Sequence, residues 1–411
     1  MTAARTAAGP FASTSFRYLF AGQAISMAGT AIAPVALALG IMEQSGSPST
    51  LSALLIAQTV PTLALLLLGG VWADRLPRRR IVVTCHLVSA AAQAGTGYML
   101  ISGKFDLYGA VLLQVAFGMA RGFYFPASTG MTQETVEEHQ LQSAVAYMSM
   151  TRSLSRSLGP LVAGGLLLTV GGGWALVFDA FSYVAAAVLL GRMRTGFTRT
   201  VPANSVWRDF VDGFDSVRSR GWIWQTIVLF CAANVLQASL QVLGPSTLGQ
   251  DHHGVMAWSA IVAAMGAGAV VGDVAATRWR PARPMIAVRV LSLLFVPLPL
   301  LIVLDPPVWV LVAAAALGGT ASTLADTVWL ATLQVNLDKD VISRVSSYDW
   351  MGSQVLRPVG LAAAGLFAAD SSSPMLVALA AVLFLCATAS LAPSGVWRIT
   401  NNRVEAEASV S

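Results

Sequence analysis

Long apolar runs joined by short polar connections dominate this sequence of 411 residues. Apolar residues make up 55% of the chain and charged residues only 11%, and the mean hydropathy is +0.68. A helix needs about 20 apolar residues to cross the hydrocarbon core of a bilayer, and the chain has room for about twelve such helices. We therefore predict an all-α membrane protein with twelve transmembrane helices, over residues 18–41, 51–73, 81–101, 107–128, 142–168, 174–191, 222–248, 255–277, 285–304, 308–333, 344–369 and 375–397.

The basic residues lie almost entirely in one set of alternate connections. With the N-terminus in the cytoplasm, Lys104 is the one basic residue in a predicted outer loop. Basic residues collect on the cytoplasmic side of a membrane protein, so we expect both termini in the cytoplasm and an even number of crossings of the cytoplasmic membrane. The net charge of +5 follows from these loops. It therefore indicates contact with membrane lipid and not with nucleic acid.

The longest connection lies midway along the chain. Apolar residues recur at helical spacing from Val206 to Val217, with charged residues between them, which predicts an amphipathic helix on the cytoplasmic membrane surface. About thirty residues cannot bury a core of their own, so this segment is a linker and not a third domain. The expected organisation is a six-helix half over residues 1–191, the linker 192–221, and a second six-helix half over residues 222–411.

A common offset of 201 positions relates the two halves. An offset near half the chain length is typical of a duplicated unit, so we expect the halves to be pseudo-symmetric. Identical residues that coincide at this offset include Tyr147 with Tyr348, Met150 with Met351, Arg156 with Arg357, Gly159 with Gly360 and Gly164 with Gly365.

A glycine-rich turn with clustered arginines separates the second and third apolar runs. It reads Gly-Gly-Val-Trp-Ala-Asp-Arg from residue 69, followed by Pro77 and three arginines. Glycines let helices approach closely, a proline stops a helix, and arginines hold a loop on the cytoplasmic face. The alternative interpretation is an ordinary cytoplasmic loop, which would require the arginines but not the paired glycines or the Asp-Arg sequence. The order resembles the signature loop between the second and third helices of the major facilitator transporters. This resemblance implies a gating role for Gly70, Asp74, Arg75 and Arg79, with Asp74 facing the N-terminal end of the eleventh helix near Ile342.

Charged residues inside the predicted spans are the candidate functional groups. An ionisable group at mid-membrane depth is costly unless it faces a partner or a wet cavity. We predict that four such residues line a central cavity, in which a carboxylate carries protons: Arg121, Arg156, Asp326 and Arg357.

The alternative for each buried acid is an ion pair that holds helices together. Asp326 is open to either interpretation, with one of the two symmetric arginines as its partner. For Asp349 and Asp273, which lie nearer the helix ends, we prefer the structural interpretation. Arg289 is expected to extend towards the cytoplasmic surface.

The fifth predicted span contains the run Gly-Pro-Leu-Val-Ala-Gly at residues 159–164. Pro160 frees a backbone carbonyl and kinks a helix, while Gly159 and Gly164 allow a neighbour to pack closely. The run resembles the Gly-Pro-x-x-Gly-Gly signature of the antiporter branch, with Ala163 in place of one glycine. Arg121 is similar to an arginine in the fourth helix of the exporters, whose role in that family is linked to proton coupling. Among major facilitators, the chain most resembles the group of enterobactin exporters and macrolide efflux pumps.

Motifs of enzymes and of metal sites are missing from the sequence. The four His and three Cys residues show no metal-ligand spacing, and no loop of the type that cradles nucleotide phosphates is found. We expect no enzyme activity and no cofactor, and an ion gradient remains as the energy source. The sequence thus predicts a monomeric secondary transporter that exports a small, partly apolar compound in exchange for protons. Uptake of an organic anion, and a non-transporting receptor or scaffold on the same fold, remain open as alternatives.

Overall fold

Helices account for all the regular structure in the described part of the chain. The computed structural model describes residues 10–45, 47–75, 77–137, 171–193, 220–248, 252–337 and 339–392, scattered positions between 140 and 169, and Trp397. The chain divides into two units, Met1–Pro202 and Ala203–Ser411. The predicted linker helix falls outside the described residues.

The first unit contains long helices that follow the predicted spans. A left-handed Gly103 ends α3, and the side chain of Asp106 caps α4 by accepting a 2.7 Å hydrogen bond from the backbone N–H of Gly109. The described helices are α1 (Thr14–Ser45), α2 (Pro48–Arg75), α3 (Arg78–Ser102), α4 (Leu107–Gln133) and α5 (Gly172–Gly191), of which α5 corresponds to the sixth predicted span.

The second unit contains helices whose bounds depart from two predicted spans. The ninth span was predicted as continuous, but it breaks before Pro297, because proline has no backbone N–H to donate to the carbonyl four residues earlier and its ring clashes with that carbonyl. The eleventh span breaks likewise before Pro358, and the helix that follows continues through residues 370–374, where a loop was predicted. The described helices are α6 (Gly221–Leu248), α7 (His252–Arg278), α8 (Pro284–Leu293), α9 (Pro297–Leu304), α10 (Val308–Asn336), α11 (Lys339–Gln354) and α12 (Arg357–Ala389).

Apolar length supports a membrane protein. In the described part of the chain, seven segments are long and apolar enough to cross a bilayer. Helix α3 is less apolar, since polar residues such as His86 and Gln93 interrupt its sequence. The segments are Thr14–Ser45, Pro48–Leu66, Gly172–Gly191, Gly221–Leu248, His253–Ala276, Pro284–Leu304 and Val308–Leu333.

The same helix pairs pack together inside each unit. In the first unit α2 packs on α4 and α1 on α5; in the second, α7 packs on α10 and α6 on α12. In terms of the predicted spans, the second span packs on the fourth in each half. The first span packs on the sixth in the first unit, and in the second unit it packs on α12, which combines parts of the fifth and sixth spans of that half. The duplication inferred from the sequence therefore extends to helix packing within the units.

Matching glycines bring these helices into backbone contact. A Cβ atom added to Gly118 of α4 would lie 2.8 Å from the carbonyl carbon of Gln58 on α2. One added to Gly319 of α10, 201 positions later, would lie 2.8 Å from the carbonyl carbon of Met265 on α7. Both distances are far below ordinary van der Waals contact, so glycine is required at both places.

A second glycine pair repeats this arrangement. A Cβ on Gly159 would lie 2.9 Å from the carbonyl oxygen of Ala31 on α1, and one on Gly360 would lie 2.6 Å from the carbonyl oxygen of Val235 on α6. These are the two glycines that coincide at the 201-residue offset. The offset thus places glycines at equivalent helix contacts in the two units.

Candidate functional site

The glycine-rich turn is shorter than its sequence suggested. Helix α2 continues through the paired glycines and ends at Arg75, and α3 begins at Arg78, directly after Pro77. The carbonyl of Pro77 accepts a 2.8 Å hydrogen bond from the backbone N–H of Arg80, which starts the helix. The contacts of Gly70 and the side chains of Asp74 and Arg75 lie outside the described structure, so their gating role stays a prediction.

Two arginines of this turn are fixed by the first unit. Arg79 donates a hydrogen bond to the carbonyl of Gly191 at the C-terminal end of α5. Arg78 forms an ion pair with Glu134, with 3.2 Å between the guanidinium nitrogen and the carboxylate oxygen. Partial burial raises the pKa of the Glu134 carboxyl, and the Arg78 guanidinium opposes this rise. The loop that follows α4 contains several acidic residues and no Lys or Arg. Arg78 thus supplies a basic partner to one of these acids.

Arg121 lies on α4 between two glycines that hold the helix against α2. A Cβ on Gly122 would lie 2.9 Å from the Cβ of Leu65, and Gly118 is in backbone contact with the same helix. The guanidinium carbon of Arg121 lies 5.7 Å from the ring centre of Phe117, a cation–π contact. In the described part of the chain Arg121 forms no ion pair, so its charge is held by a rigid helix seam without being neutralised by a carboxylate.

The other predicted cavity residues are placed less completely. Asp326 lies on the exposed side of α10, and Arg357 is half-buried at the first residue of α12. The ion pair predicted between Asp326 and a symmetric arginine stays a prediction. Arg156, Pro160 and Gly164 fall outside the described residues.

Asp349 joins two helices of the second unit. Its carboxylate accepts a 2.9 Å hydrogen bond from the indole N–H of Trp329 on α10. The sequence led us to prefer a structural ion pair for Asp349; in the structure a tryptophan on α10 is its hydrogen-bond partner.

Arg289 corrects one of the sequence predictions. It was expected to reach the membrane surface, but the residue has no exposed area (0%). Its guanidinium donates to the carbonyl of Met285 at 3.0 Å, to the carbonyl of Ser390 at 3.3 Å and to the hydroxyl of Thr226 at 3.3 Å. Arg289 therefore links α8, α12 and α6. The position of a basic residue in the sequence of a span indicates how deep it lies in the membrane. It does not indicate which neighbouring helix the side chain contacts.

A buried polar cluster in the first unit was not among the predicted sites. Asp179 of α5 is fully buried and accepts a 2.8 Å hydrogen bond from the side-chain amide of Gln93 on α3. A sequence signal for this cluster exists, because polar residues recur at helical spacing along α3, at His86, Ser89, Gln93 and Thr96.

Comparison with known proteins gives the family. Residues 19–361 match the profile of the Major Facilitator Superfamily. Macrolide efflux protein A of Streptococcus pyogenes is 28% identical over 185 residues, which cover 44% of this chain and 44% of that protein. The uncharacterized MFS-type transporter YkuC of Bacillus subtilis (strain 168) is 24% identical over 185 residues, covering 45% and 43%. The chain thus spans less than half the length of these relatives.

Solved structures agree on the fold. The crystal structure of the nucleoside transporter NupG superimposes with a TM-score of 0.70 at 11% identity, covering 92% of this chain and 98% of the other. The bacterial homolog of the human lysosomal transporter Spinster gives a TM-score of 0.64 at 14% identity, covering 95% and 98%. At such identities the likeness concerns the fold alone. Together with the profile match over most of the sequence, it confirms the resemblance drawn from the turn motif: this chain belongs to the Major Facilitator Superfamily of membrane transporters.

Proposed function

We propose that the protein exports a small, partly apolar compound across the cytoplasmic membrane in exchange for protons. In this proposal twelve helices cross the membrane, both termini are cytoplasmic, and a monomer alternates access between two six-helix halves. Family membership supports transport. Direction, coupling and substrate class are the steps that the proposal adds.

Efflux relatives support the direction of transport. Besides macrolide efflux protein A, the multidrug efflux pump Tap of Mycolicibacterium fortuitum is 25% identical over 234 residues, covering 54% of each chain. A macrolide is therefore a reasonable first substrate to test. It is a small molecule with extensive apolar surface and few charges, which fits the proposed class of partly apolar compounds.

The observation that carries the proposal is the charge of Arg121. It lies within a span, is held by the α2–α4 seam, and has no carboxylate partner in the described part of the chain. A permanent charge in that position is costly unless it interacts with substrate, water or a carboxylate that gains and loses a proton. In a transporter coupled to protons, Arg121 can interact with the carboxylate that gains and loses the transported proton.

Asp326 remains the acid proposed to exchange the transported proton with the cavity. With Asp326→Asn, exchange of substrate across the membrane should continue, while accumulation driven by a pH gradient should be lost. Loss of expression would instead favour a structural ion pair.

The test uses proteoliposomes that contain the full-length protein and labelled erythromycin as the probe. We expect accumulation that requires a pH gradient, and counterflow without one. Arg121→Gln should remove the gradient-driven part, whereas Lys104→Gln, an exposed residue of a predicted outer loop, should behave as wild type. Uptake in the direction opposite to export, or accumulation by the wild type that does not depend on the pH gradient, would contradict the proposal.

A further inference from the structure

Polar side chains from four helices meet inside the first unit. Each residue is buried or half-buried among membrane-spanning helices, where polar atoms are retained at a cost. Hydrogen bonds join α5 to α3, α1 to α5, and α4 to α3. The residues are Thr30 on α1; His86, Gln93 and Thr96 on α3; Gln114 on α4; and Asp179, Ser182 and Tyr183 on α5.

Asp179 is the acid at the centre of this cluster. Its Oδ2 accepts the 2.8 Å hydrogen bond from Gln93, and its Oδ1 lies 3.4 Å from the hydroxyl of Ser182. That hydroxyl donates its hydrogen to the backbone carbonyl of Asp179 at 2.7 Å. Within the described structure the carboxyl thus receives one short hydrogen bond, from Gln93, and one long hydrogen bond, from a hydroxyl that shares its hydrogen with the backbone carbonyl.

No basic side chain in the described part of the chain forms an ion pair with Asp179. Arg121 is the cation that faces the carboxyl from α4, and its guanidinium lies over Phe117 instead. A buried carboxylate with one short and one long hydrogen bond and no ion-paired cation is disfavoured relative to the neutral acid. The geometry thus fits a carboxylic acid that carries its proton on Oδ1.

Atoms without hydrogen-bond partners lie near this carboxyl on α3 and α4. Among the described residues, the Oε1 atoms of Gln93 and Gln114 and the Nε2 atom of His86 are buried and unpaired. Gln93 lies seven residues after His86, so both side chains occupy the same face of α3. Such atoms can bind water or take part in proton movement. The proton of Asp179 therefore has polar groups beside it through which it can move.

The carboxyl also lies directly against α1. A Cβ added to Gly29 would be 2.6 Å from Oδ1 of Asp179, so α1 approaches the acid with bare backbone. A negative charge at this point would have to be hydrated. Because there is no room for water between Gly29 and Oδ1, hydration requires the two helices to separate.

We propose that Asp179 is a proton-binding site of this transporter, neutral where it packs against Gly29, and that its deprotonation weakens the contact between α1 and α5. In this step the O–H bond breaks, the proton passes to water as hydronium, and the electron pair stays on the carboxylate. The inference rests on the proton coupling proposed above. It places a proton-dependent contact inside the first unit, in addition to Asp326 in the second.

Other titratable or charged groups lie on the neighbouring helices. Arg121 of α4 and Tyr183 of α5 interact electrostatically with Asp179. His86 of α3 contacts the rings of Tyr183 and of Tyr124 on α4, with 5.5 Å and 5.0 Å between the ring centres. In the described structure α1 presents Gly29 and the hydroxyl of Thr30, which is 2.8 Å from the hydroxyl of Tyr183.

The first measurement reads the carboxyl itself and needs no substrate. Infrared difference spectra of the full-length protein in lipid nanodiscs, between acidic and alkaline pH, should contain a protonated carboxyl band that disappears on deprotonation. We expect this band to be absent from Asp179→Asn and retained in Glu43→Gln, an exposed acid near the end of α1. A spectrum of Asp179→Asn identical to that of wild type would overturn the proposal.

The second measurement concerns coupling. In proteoliposomes with labelled erythromycin, Asp179→Asn should keep counterflow and lose the accumulation driven by a pH gradient, as a variant fixed in the neutral form. Gradient-driven accumulation at the wild-type level would overturn the role in coupling. If wild type itself shows no such accumulation, the proposed function fails, while the infrared band still decides whether Asp179 binds a proton.

A milder variant covers the case in which Asp179→Asn does not fold. Gln93→Leu leaves the carboxyl in place and removes its one short hydrogen bond. The carboxyl band should then shift to the frequency of an acid with weaker hydrogen bonding. An unchanged band would show that Asp179 is not the group observed.

Discussion

The matched glycines Gly118 and Gly319 give the sharpest test of the packing. Replacing either by alanine adds one Cβ atom, 2.8 Å from a carbonyl carbon and 2.9 Å from a Cα atom of the facing helix. Ordinary contact begins at 3.4 Å, so the helices must separate by about 0.6 Å or more. No rotamer change can relieve the clash, because the atoms on both sides belong to backbone or Cβ.

The expected cost follows from two opposing terms. Overpacking of this kind costs about 1–3 kcal/mol. Alanine in a helix interior is about 1 kcal/mol better than glycine, which offsets part of that cost. Controls are Gly191→Ala and Gly221→Ala, at helix ends of the two units, where an added Cβ would meet no atom within 4 Å or only side-chain ends at 3.9 Å or more.

The assay is thermal unfolding of the purified protein in detergent, followed by the fraction that stays monodisperse after heating. Gly118→Ala and Gly319→Ala should each lower the apparent melting temperature relative to the control in the same unit. Because the two glycines make equivalent contacts, the two shifts should be similar in size. Stability equal to the controls in either variant would refute the close backbone approach at that seam.

Three further predictions concern charged residues. Arg289→Met should destabilise the protein by about 1–3 kcal/mol, because it leaves the carbonyl of Ser390 and the hydroxyl of Thr226 without their shared donor; the same thermal assay checks this, and no loss would contradict the buried linkage. Burial raises the pKa of Glu134, so its contribution to stability should be present below the usual carboxyl pKa and be lost as pH rises through the raised value. Glu134→Gln should flatten this part of a plot of stability against pH, and an unchanged plot would mean that another group titrates. Asp74→Asn should leave the protein folded and inserted but strongly reduce transport of labelled erythromycin; a wild-type rate would remove the turn from the mechanism.

Much of the fold follows from the sequence because apolar length and glycine spacing are local properties. The 201-residue offset identified Gly159 and Gly360 before their contacts with α1 and α6 were known. Proline positions explain both helix breaks of the second unit, although the sequence analysis did not use Pro297 and Pro358 for that purpose.

The polar sites could not be derived in the same way. A charged residue in a span has a depth that can be read from the sequence, but its partner depends on how the helix is rotated against its neighbours. Arg289 was therefore assigned to the surface although three groups inside the second unit accept its hydrogen bonds. Asp179 was not predicted as a site for the same reason, because its hydrogen-bond partner Gln93 lies 86 positions away in the sequence.

Arg79 and Arg289 share a role that bears on how the chain is made. Each donates to a carbonyl at the end of the last described helix of its unit, Gly191 in one and Ser390 in the other. The donor and acceptor are 112 positions apart in the first case and 101 in the second. During synthesis each acceptor is therefore made after its arginine, so neither hydrogen bond can form before the last helix of that unit has been translated.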